Sequence, residues 1–323
     1  MTNPVTHTNE TNMRPLAAIA CVIALVIAAA SPASAKDPGE DAYTFLKIGT
    51  DARSEAMGGA MTGVADQLGA TFYNPAALAA VGPRSVMASY TNWLTDIQAG
   101  ALAAVWSVGG QGRVGVSAQY LDYGDFDPRD EVGNPGEDFS ASDVALALTW
   151  ASGLGRGLNA GVTGRFISES IDDENSSALA ADLGLSYEFL DGRTRAGVAA
   201  RNLGGQTKSI EGGDKESLPV VLAAGLSHQL RGAPVLFAAD LLKPSDDDVG
   251  GAFGVEVDVH RQFALRAGYN TLIAQIDTDS DSDNLAGISL GAGFSLERLA
   301  IDYAFTAYSE LGDAHRFSIR SRF

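Results

Sequence analysis

The sequence predicts an all-β fold, a 14-stranded antiparallel transmembrane β-barrel that encloses a small amino-terminal helical hatch in its lumen. Three observations predict it. From Ser85 onward, apolar residues recur at every second position in runs close to the roughly 9 to 11 residues that a tilted membrane strand needs. Tight turns alternate with longer polar loops along these runs. The last run, "HRFSIRSRF", carries Phe317, Ile319 and the terminal Phe323 on one face.

Residues 1–35 read as an export signal. Arg14 precedes an apolar run from Leu16 to Ala30, and Ala33-Ser34-Ala35 supplies a small-x-small cleavage site. The run falls short of the roughly 20 residues of a spanning helix, so a cleaved leader is expected and a mature chain beginning near Lys36. The only cysteine, Cys21, lies within this run. The preceding Ala18-Ile19-Ala20 is a poor lipidation match, so the mature chain is expected to lack disulfides and thiolate metal ligands. A formal net charge of -18 argues against nucleic acid as a partner, because phosphate binding rests on Lys and Arg. Beyond the leader no window approaches a continuous apolar span, which excludes a polytopic helical membrane protein; abundant Gly and Ala suit a sheet of small residues.

Residues 36–84 are expected to form the hatch. In "FYNPAALAAVG", Phe72 to Gly82, Asn74 is a good N-cap, Pro75 is pre-set for the first helical position, and Gly82 can end the helix. Ala76, Ala77, Ala79 and Ala80 give the segment a thin profile, suited to a wall whose lumen side is also small. "SEAMGGAMTGVAD", with Gly58 and Gly59, is equally compact. Asn74, Pro75, Ala76, Gly58 and Gly59 are the candidate gate, and no further helix is evident.

Residues 85–323 are expected to form the barrel, with strands at 85–90, 97–107, 112–122, 140–152, 157–169, 177–190, 193–203, 218–229, 233–242, 250–259, 262–271, 285–296, 299–308 and 314–323. Tight links such as Val108–Gln111, Gly153–Arg156 and Glu297–Arg298 alternate with loops such as Gly124–Phe139, Gly204–Ser217 and Leu272–Asn284. A β-sandwich would not need that alternation; an outer-membrane barrel shows it. The even strand number places both chain ends at the short-turn end.

Leu179, Leu183, Leu185 and Tyr187 alternate with Ala180, Asp182, Gly184 and Ser186, so one face is oily and the other faces the lumen. Arg165, Asp182, Arg201, Asp240, Glu256, Arg266, Asp302 and Arg316 fall on the lumen face, as do Arg113, Arg195, Asp258 and Arg320. Cross-strand ion pairs are expected along Arg165, Asp182 and Arg201, and between Asp302 and Arg316 or Arg320, as a ladder bracing the wall. Tyr90, Trp93, Trp106, Tyr120, Tyr123, Trp150, Phe166, Tyr187, Phe189, Tyr269, Tyr303 and Tyr308 gather toward strand ends and read as interfacial anchors.

"GTDARSEAMGGAMTGVADQLGATFYNPAALAAVG", Gly49 to Gly82, together with "ARNLG", Ala200 to Gly204, and "IDYAFTAYSELGDAHRFSIRSRF" at the carboxyl end, resembles the PorV/PorQ family, relatives of the FadL-type outer-membrane transporters of hydrophobic compounds. The resemblance spans nearly all of the mature chain. It implies a 14-stranded barrel, with Asn74, Pro75 and Ala76 as the Asn-Pro-Ala motif of the lumenal hatch. A terminal Phe323 resembles the signal read by the barrel-assembly machinery. The implied location is the outer membrane of a Gram-negative-type bacterium, in contact with its lipid, both termini periplasmic. The implied function is hatch-gated passage of small hydrophobic molecules or, alternatively, a shuttle for exported proteins in a type IX-like secretion system. The longer loops, "DFDPRDEVGNPGEDF" and "DTDSDSDN", are acidic and not apolar, which departs from a greasy capture surface.

"DTDSDSDN" invites a calcium reading, but Ser282 stands where an EF-hand loop needs Gly and Ile288 where it needs Glu, so it reads as a solvated acidic loop. The mature chain holds only His228, His260 and His315, with no Ser/His/Asp or metal cluster evident. No enzyme activity, cofactor or metal is expected.

Overall fold

A computed structural model of the chain describes residues 41–323 apart from 95–96, 127, 130–133, 135, 137, 190–191, 211–212, 276–283 and 310–311. The leader and the acidic stretch 277–283 therefore lie outside the described residues.

The strands are β1 (Ser85–Asn92), β2 (Gln98–Ser107), β3 (Arg113–Phe126), β4 (Phe139–Gly155), β5 (Leu158–Ile171), β6 (Glu174–Phe189), β7 (Thr194–Lys208), β8 (Val221–Gln229), β9 (Val235–Pro244), β10 (Gly250–His260), β11 (Phe263–Asn270), β12 (Ile288–Ser295), β13 (Leu299–Ala307) and β14 (Asp313–Arg322). Each pairs antiparallel with the next, and β14 pairs with β1, so the sheet closes into a barrel with Ser89 opposite Ser318 at the seam. Closure leaves no edge strand whose N–H and C=O groups would face hydrocarbon unpaired.

Alternation does what period two dictates. On β6, Leu179, Leu183 and Leu185 are exposed outward, whereas Ala178, Ala180, Asp182 and Gly184 are buried inward. Leu146, Leu148, Phe166, Leu290, Phe317 and Ile319 extend the same apolar belt around the outside. Such a belt would be a liability in water and is the required surface in lipid.

The buried core lies between hatch and wall. Tyr43, Phe45 and Leu46 pack on Leu121, Ala145 and Ile167; Met57, Met61 and Val64 on Ala223, Ala238 and Ala252; Leu68, Leu78 and Val81 on Met87, Ala101 and Val105. Close approach depends on wall glycines. A Cβ at Gly161 would lie 2.4 Å from the Pro75 carbonyl carbon, and one at Gly197 would lie 1.9 Å from the Thr62 oxygen.

Five features differ from the sequence reading. The segment after Asn74 is a 3₁₀ turn, Pro75–Ala79, that ends at Ala80 and does not reach Gly82. Further helical turns are present at Thr44–Lys47 and Leu68–Phe72, with α-helices α1 (Ala52–Ala56) and α2 (Thr271–Ala274). These are too short for an apolar periodicity to show; Asp51 caps α1 and Asn270 caps α2, whereas the two 3₁₀ turns have no side-chain cap. The link between β5 and β6 is a tight Asp172-Asp173 turn at the loop end, with Asp172 at φ 55, so alternation of short and long links breaks there. Strands β3 to β7 have 14, 17, 14, 16 and 15 residues, against 8 to 11 in β8 to β14, so they are longer by roughly 20 Å at about 3.3 Å per residue.

The fifth difference concerns the chain's path. Ala42 N–H donates to Ser217 O at 3.0 Å, and Ser245 Oγ donates to Asp41 at 2.9 Å; both partners sit in loops at the end opposite the tight turns. The described chain therefore starts at the loop end, crosses the lumen once as the hatch, and enters β1 at the turn end where β14 finishes. Strand parity alone could not register that crossing.

Replacing Gly161 with Val is expected to overpack the hatch–wall contact at a cost of about 1 to 3 kcal/mol. Limited proteolysis of the detergent-solubilised protein should then cleave residues 41–84 faster than wild type while the heat-resistant barrel band is retained.

Candidate functional site

The turns of the hatch are set in part by local hydrogen bonds. Asn74 Oδ1 accepts from Ala76 N at 3.0 Å, the N-cap geometry, and Pro75 occupies the first turn where its missing N–H costs nothing. The same side chain then works in the other direction. Its Nδ2 donates to Thr62 O at 2.9 Å and to Leu185 O at 3.1 Å, joining two parts of the hatch to β6. Ala76 is fully buried against Gly161. Gly58 and Gly59 take φ 66 and φ 78, and a Cβ on Gly58 would lie 2.7 Å from Tyr269 N, so that position admits only glycine. Asn270 Nδ2 donates to Gly58 O at 3.1 Å.

The inward charges do not form one ladder along the wall. Arg165 Nη2 does reach Asp182 at 2.7 Å, and its Nη1 donates to Gln119 at 2.8 Å. Arg201 does not pair with Asp182. Two residues of β7, Arg201 and Asn202, stand opposite the single residue Asp182, a bulge with Asn202 at φ 59. Asp182 Oδ1 accepts from Asn202 N at 2.7 Å, so both carboxylate oxygens are already engaged. The Arg201 guanidinium lies instead over the Tyr73 ring of the hatch, 5.6 Å from its centroid. Asp240 accepts from hatch Thr62 N at 2.7 Å. Asp302 pairs with Arg320 at 2.8 Å, not with Arg316; fully buried Arg316 stacks over Trp93 and lies 3.4 Å from hatch Glu55.

Sequence reasoning missed the residue that ties these charges together. Arg53, on α1, donates to Glu256 through Nε at 2.6 Å and Nη2 at 2.7 Å, and to Asp66 through Nη1 at 2.6 Å and Nη2 at 2.9 Å. Glu256 also takes Arg266 at 2.5 Å, Arg266 reaches Asp302 at 2.8 Å, and Asp302 takes Arg320. One network thus runs from the hatch through β10, β11, β13 and β14, near the turn end. Burial disfavours the Arg53 charge, but Asp66 and Glu256 outweigh it and hold the guanidinium well above its ordinary value. The signal in the sequence was the run Asp51 to Glu55: Asp51 caps α1 by accepting from Ser54 N at 3.2 Å, and a lone Arg among small residues needs a carboxylate when buried.

Between hatch and loop end lies a cavity of about 450 Å³, its wall including Phe45, Tyr73, Leu121, Trp93, Arg201 and Tyr308. Trp93, Tyr123 and Tyr308 therefore turn inward and are not interfacial anchors. Tyr123 donates to Asp143 at 2.9 Å, and Trp93 meets Tyr308 edge-on at 4.7 Å. By contrast Tyr90, Trp106, Tyr120, Trp150, Phe166 and Tyr269 are exposed on the outside. Phe323 also lies exposed, its N–H donating to Arg84 O at 3.1 Å. Among the described residues no group of three or more His, Cys, Asp or Glu side chains is placed to hold a metal ion.

Substituting Arg53 with Gln is expected to lower stability by roughly 2 to 3 kcal/mol, because Glu256 is left buried with one fewer cation. Arg195→Gln, which breaks a pair with half-exposed Glu188, should cost under about 1 kcal/mol. Urea unfolding of both variants in detergent, followed by tryptophan fluorescence, measures the difference.

The chain matches the family described as type IX secretion system protein PorV over residues 38–231. No curated protein matches it. Among solved structures, the chain is similar to the Ralstonia pickettii toluene transporter TbuX at 14% identity and a TM-score of 0.57, covering 85% of this chain and 98% of that one. The Pseudomonas putida toluene transporter TodX is similar at 15% identity and a TM-score of 0.56, covering 84% and 96%. The CymD monoaromatic hydrocarbon channel is similar at 14% identity and 0.58, covering 85% and 98%. At these identities the likeness establishes the fold alone. An outer-membrane β-barrel with a lumenal helical segment, matched by the family profile over more than half its length, this chain belongs to the PorV family.

Proposed function

We propose that the barrel passes small hydrophobic solutes across the outer membrane, passively, with the hatch as its gate. The observation that carries this reading is the cavity at the loop end, whose wall sets Phe45, Leu121, Trp93 and Tyr308 beside polar groups such as Gln119 and Asn202, and which is bounded below by Phe72 and Tyr73, the residues leading into Asn74. A solute there would press on the segment Asn74–Ala80. That segment is held to the wall by two side chains, Asn74 donating to Leu185 O and Arg113 of β3 donating to Leu78 O and Ala79 O, and lies against glycine-rich backbone at Gly161 and Gly184, so its displacement would open a path along the wall. Solved barrels of similar fold include a toluene transporter and a monoaromatic hydrocarbon channel, which supports the same class of solute here. In this reading residues 1–35 are a cleaved leader, 36–84 the hatch, and 85–323 the barrel. The tight-turn end and Phe323 face the periplasm, Phe323 serving assembly, and the loop end faces outward. The other lumen charges brace the hatch against β10 to β14.

Asn74→Ala removes the cap and both ties, hydrogen bonds worth roughly 1 kcal/mol each. It is expected to raise liposome uptake of a monoaromatic solute several-fold over wild type; identical uptake would remove the gating role.

A second reading is favoured by the family match itself: an accessory or shuttle barrel for exported proteins in a type IX-like secretion system. Affinity capture of the intact barrel in mild detergent should then recover exported proteins or a secretion translocon, and recovery of neither would count against it.

A further inference from the structure

The turn end carries an arginine at every tight link but one. Arg156 joins β4 to β5, Arg193 β6 to β7, Arg231 β8 to β9, Arg261 β10 to β11 and Arg298 β12 to β13, and Arg84 and Arg322 flank the seam where β14 meets β1. All but half-buried Arg193 are exposed. Among the described residues none of the exposed six takes part in an ion pair. Lysine is absent from this end among the described residues. Lys47, Lys208, Lys215 and Lys243 all lie at the loop end, among acidic groups such as Asp172-Asp173-Glu174 and Asp246–Asp248. The acids in the same turns are few: Asp191, in sequence, and Glu297.

A merely solvated rim has no reason to use only arginine or to follow a fixed partner in sequence. Five of the seven arginines lie within two residues in sequence of a leucine or phenylalanine exposed on the outside: Leu154 with Arg156, Leu230 with Arg231, Phe263 with Arg261, Leu296 with Arg298, Phe323 with Arg322. Those apolar groups, with Trp106 and Trp150, mark the edge of the lipid-facing belt. One or two residues further along the strand, at about 3.3 Å each, is headgroup depth. A planar guanidinium there meets a phosphate with two parallel N–H donors, which an ammonium cannot do.

The arginines are spread around the perimeter and not gathered on one arc. A compact protein would touch only part of such a ring, whereas a lipid leaflet meets all of it. We propose that the turn end is a binding ring for anionic phospholipid headgroups in the adjacent leaflet. The ring sets the barrel's depth, and the acidic loop end, which repels the same lipids, sets its direction of insertion.

The test uses the full-length mature protein reconstituted in bilayers with spin-labelled phosphatidylglycerol or phosphatidylcholine. Electron spin resonance then reads the fraction of each lipid held at the protein surface. Wild type is expected to prefer phosphatidylglycerol by about threefold or more at low salt, with the preference lost at high salt. The combined Arg156→Gln, Arg231→Gln, Arg261→Gln and Arg298→Gln variant is expected to fall toward parity with its barrel intact by heat-modifiable migration. If that variant does not fold, Arg231→Gln and Arg261→Gln are measured singly, each expected to lose part of the preference. Equal affinity for both lipids in wild type, or an unchanged preference in the variants, overturns the proposal. So does tight binding of soluble polyglutamate without lipid preference, which would point to an acidic protein partner instead.

Discussion

Everything in this molecule follows from the pairing of β14 with β1. In hydrocarbon an unpaired backbone N–H or C=O has no water to turn to, so the sheet must close. Once closed, its outward positions become solvent-facing in a solvent of lipid tails, and Leu, Phe and Val belong there. Its inward positions enclose a volume that has to be filled, wetted or plugged. The hatch is the filling, and its composition answers to the wall's. Thin Ala-rich turns meet glycines at Gly161, Gly184 and Gly197, so backbone lies against backbone with little side chain between.

Besides the three apolar clusters between hatch and wall, the remaining hold on the hatch is polar. At the turn end Arg53 reaches Glu256 and Asp66; in the middle Asn74 spans Thr62 and Leu185; at the loop end Tyr43 meets Ser176 at 2.9 Å and Lys47 pairs with Asp246. The segment is thus fastened at both mouths and continuous with β1. As the proposed gate, the segment would open by local rearrangement beside the wall more readily than by leaving the barrel, since departure would break all three sets of bonds at once.

The bulge at Arg201 and Asn202 shows how one extra residue redirects chemistry. Without it Asp182 and Arg201 would sit in register and neutralise each other across the strands. With it, Asp182 is taken by Arg165 and the Asn202 N–H, and Arg201 is turned onto Tyr73, at the floor of the cavity. A cation at that floor joins Glu55, Gln119 and Asn202 as polar points in a chamber also lined by aromatic and aliphatic side chains, a pattern common to sites that orient a ligand.

Much of the fold was legible in the order of residues. Period two is a local property, so strand number, the oily face of β6 and β12, and the tight turns at Gly153–Arg156 or Glu297–Arg298 could be read without neighbours. So could the cap at Asn74, because an N-cap and the N–H it serves are two residues apart. The rest depended on partners far along the chain. Arg53 and Glu256 are separated by 203 positions, and nothing near either names the other. The loss of the Arg201–Asp182 pair rests on a bulge that shifts register by one residue, invisible to a pattern that repeats every two. The inward turn of Trp93 and Tyr308, and the start of the described chain at the loop end, follow from a hatch that crosses the lumen. Sequence by itself determined which residues face lipid and which face inward, since that needs only the geometry of one strand. Only the tertiary structure decided which inward charges meet, because that depends on how closure and the threaded hatch bring distant strands together.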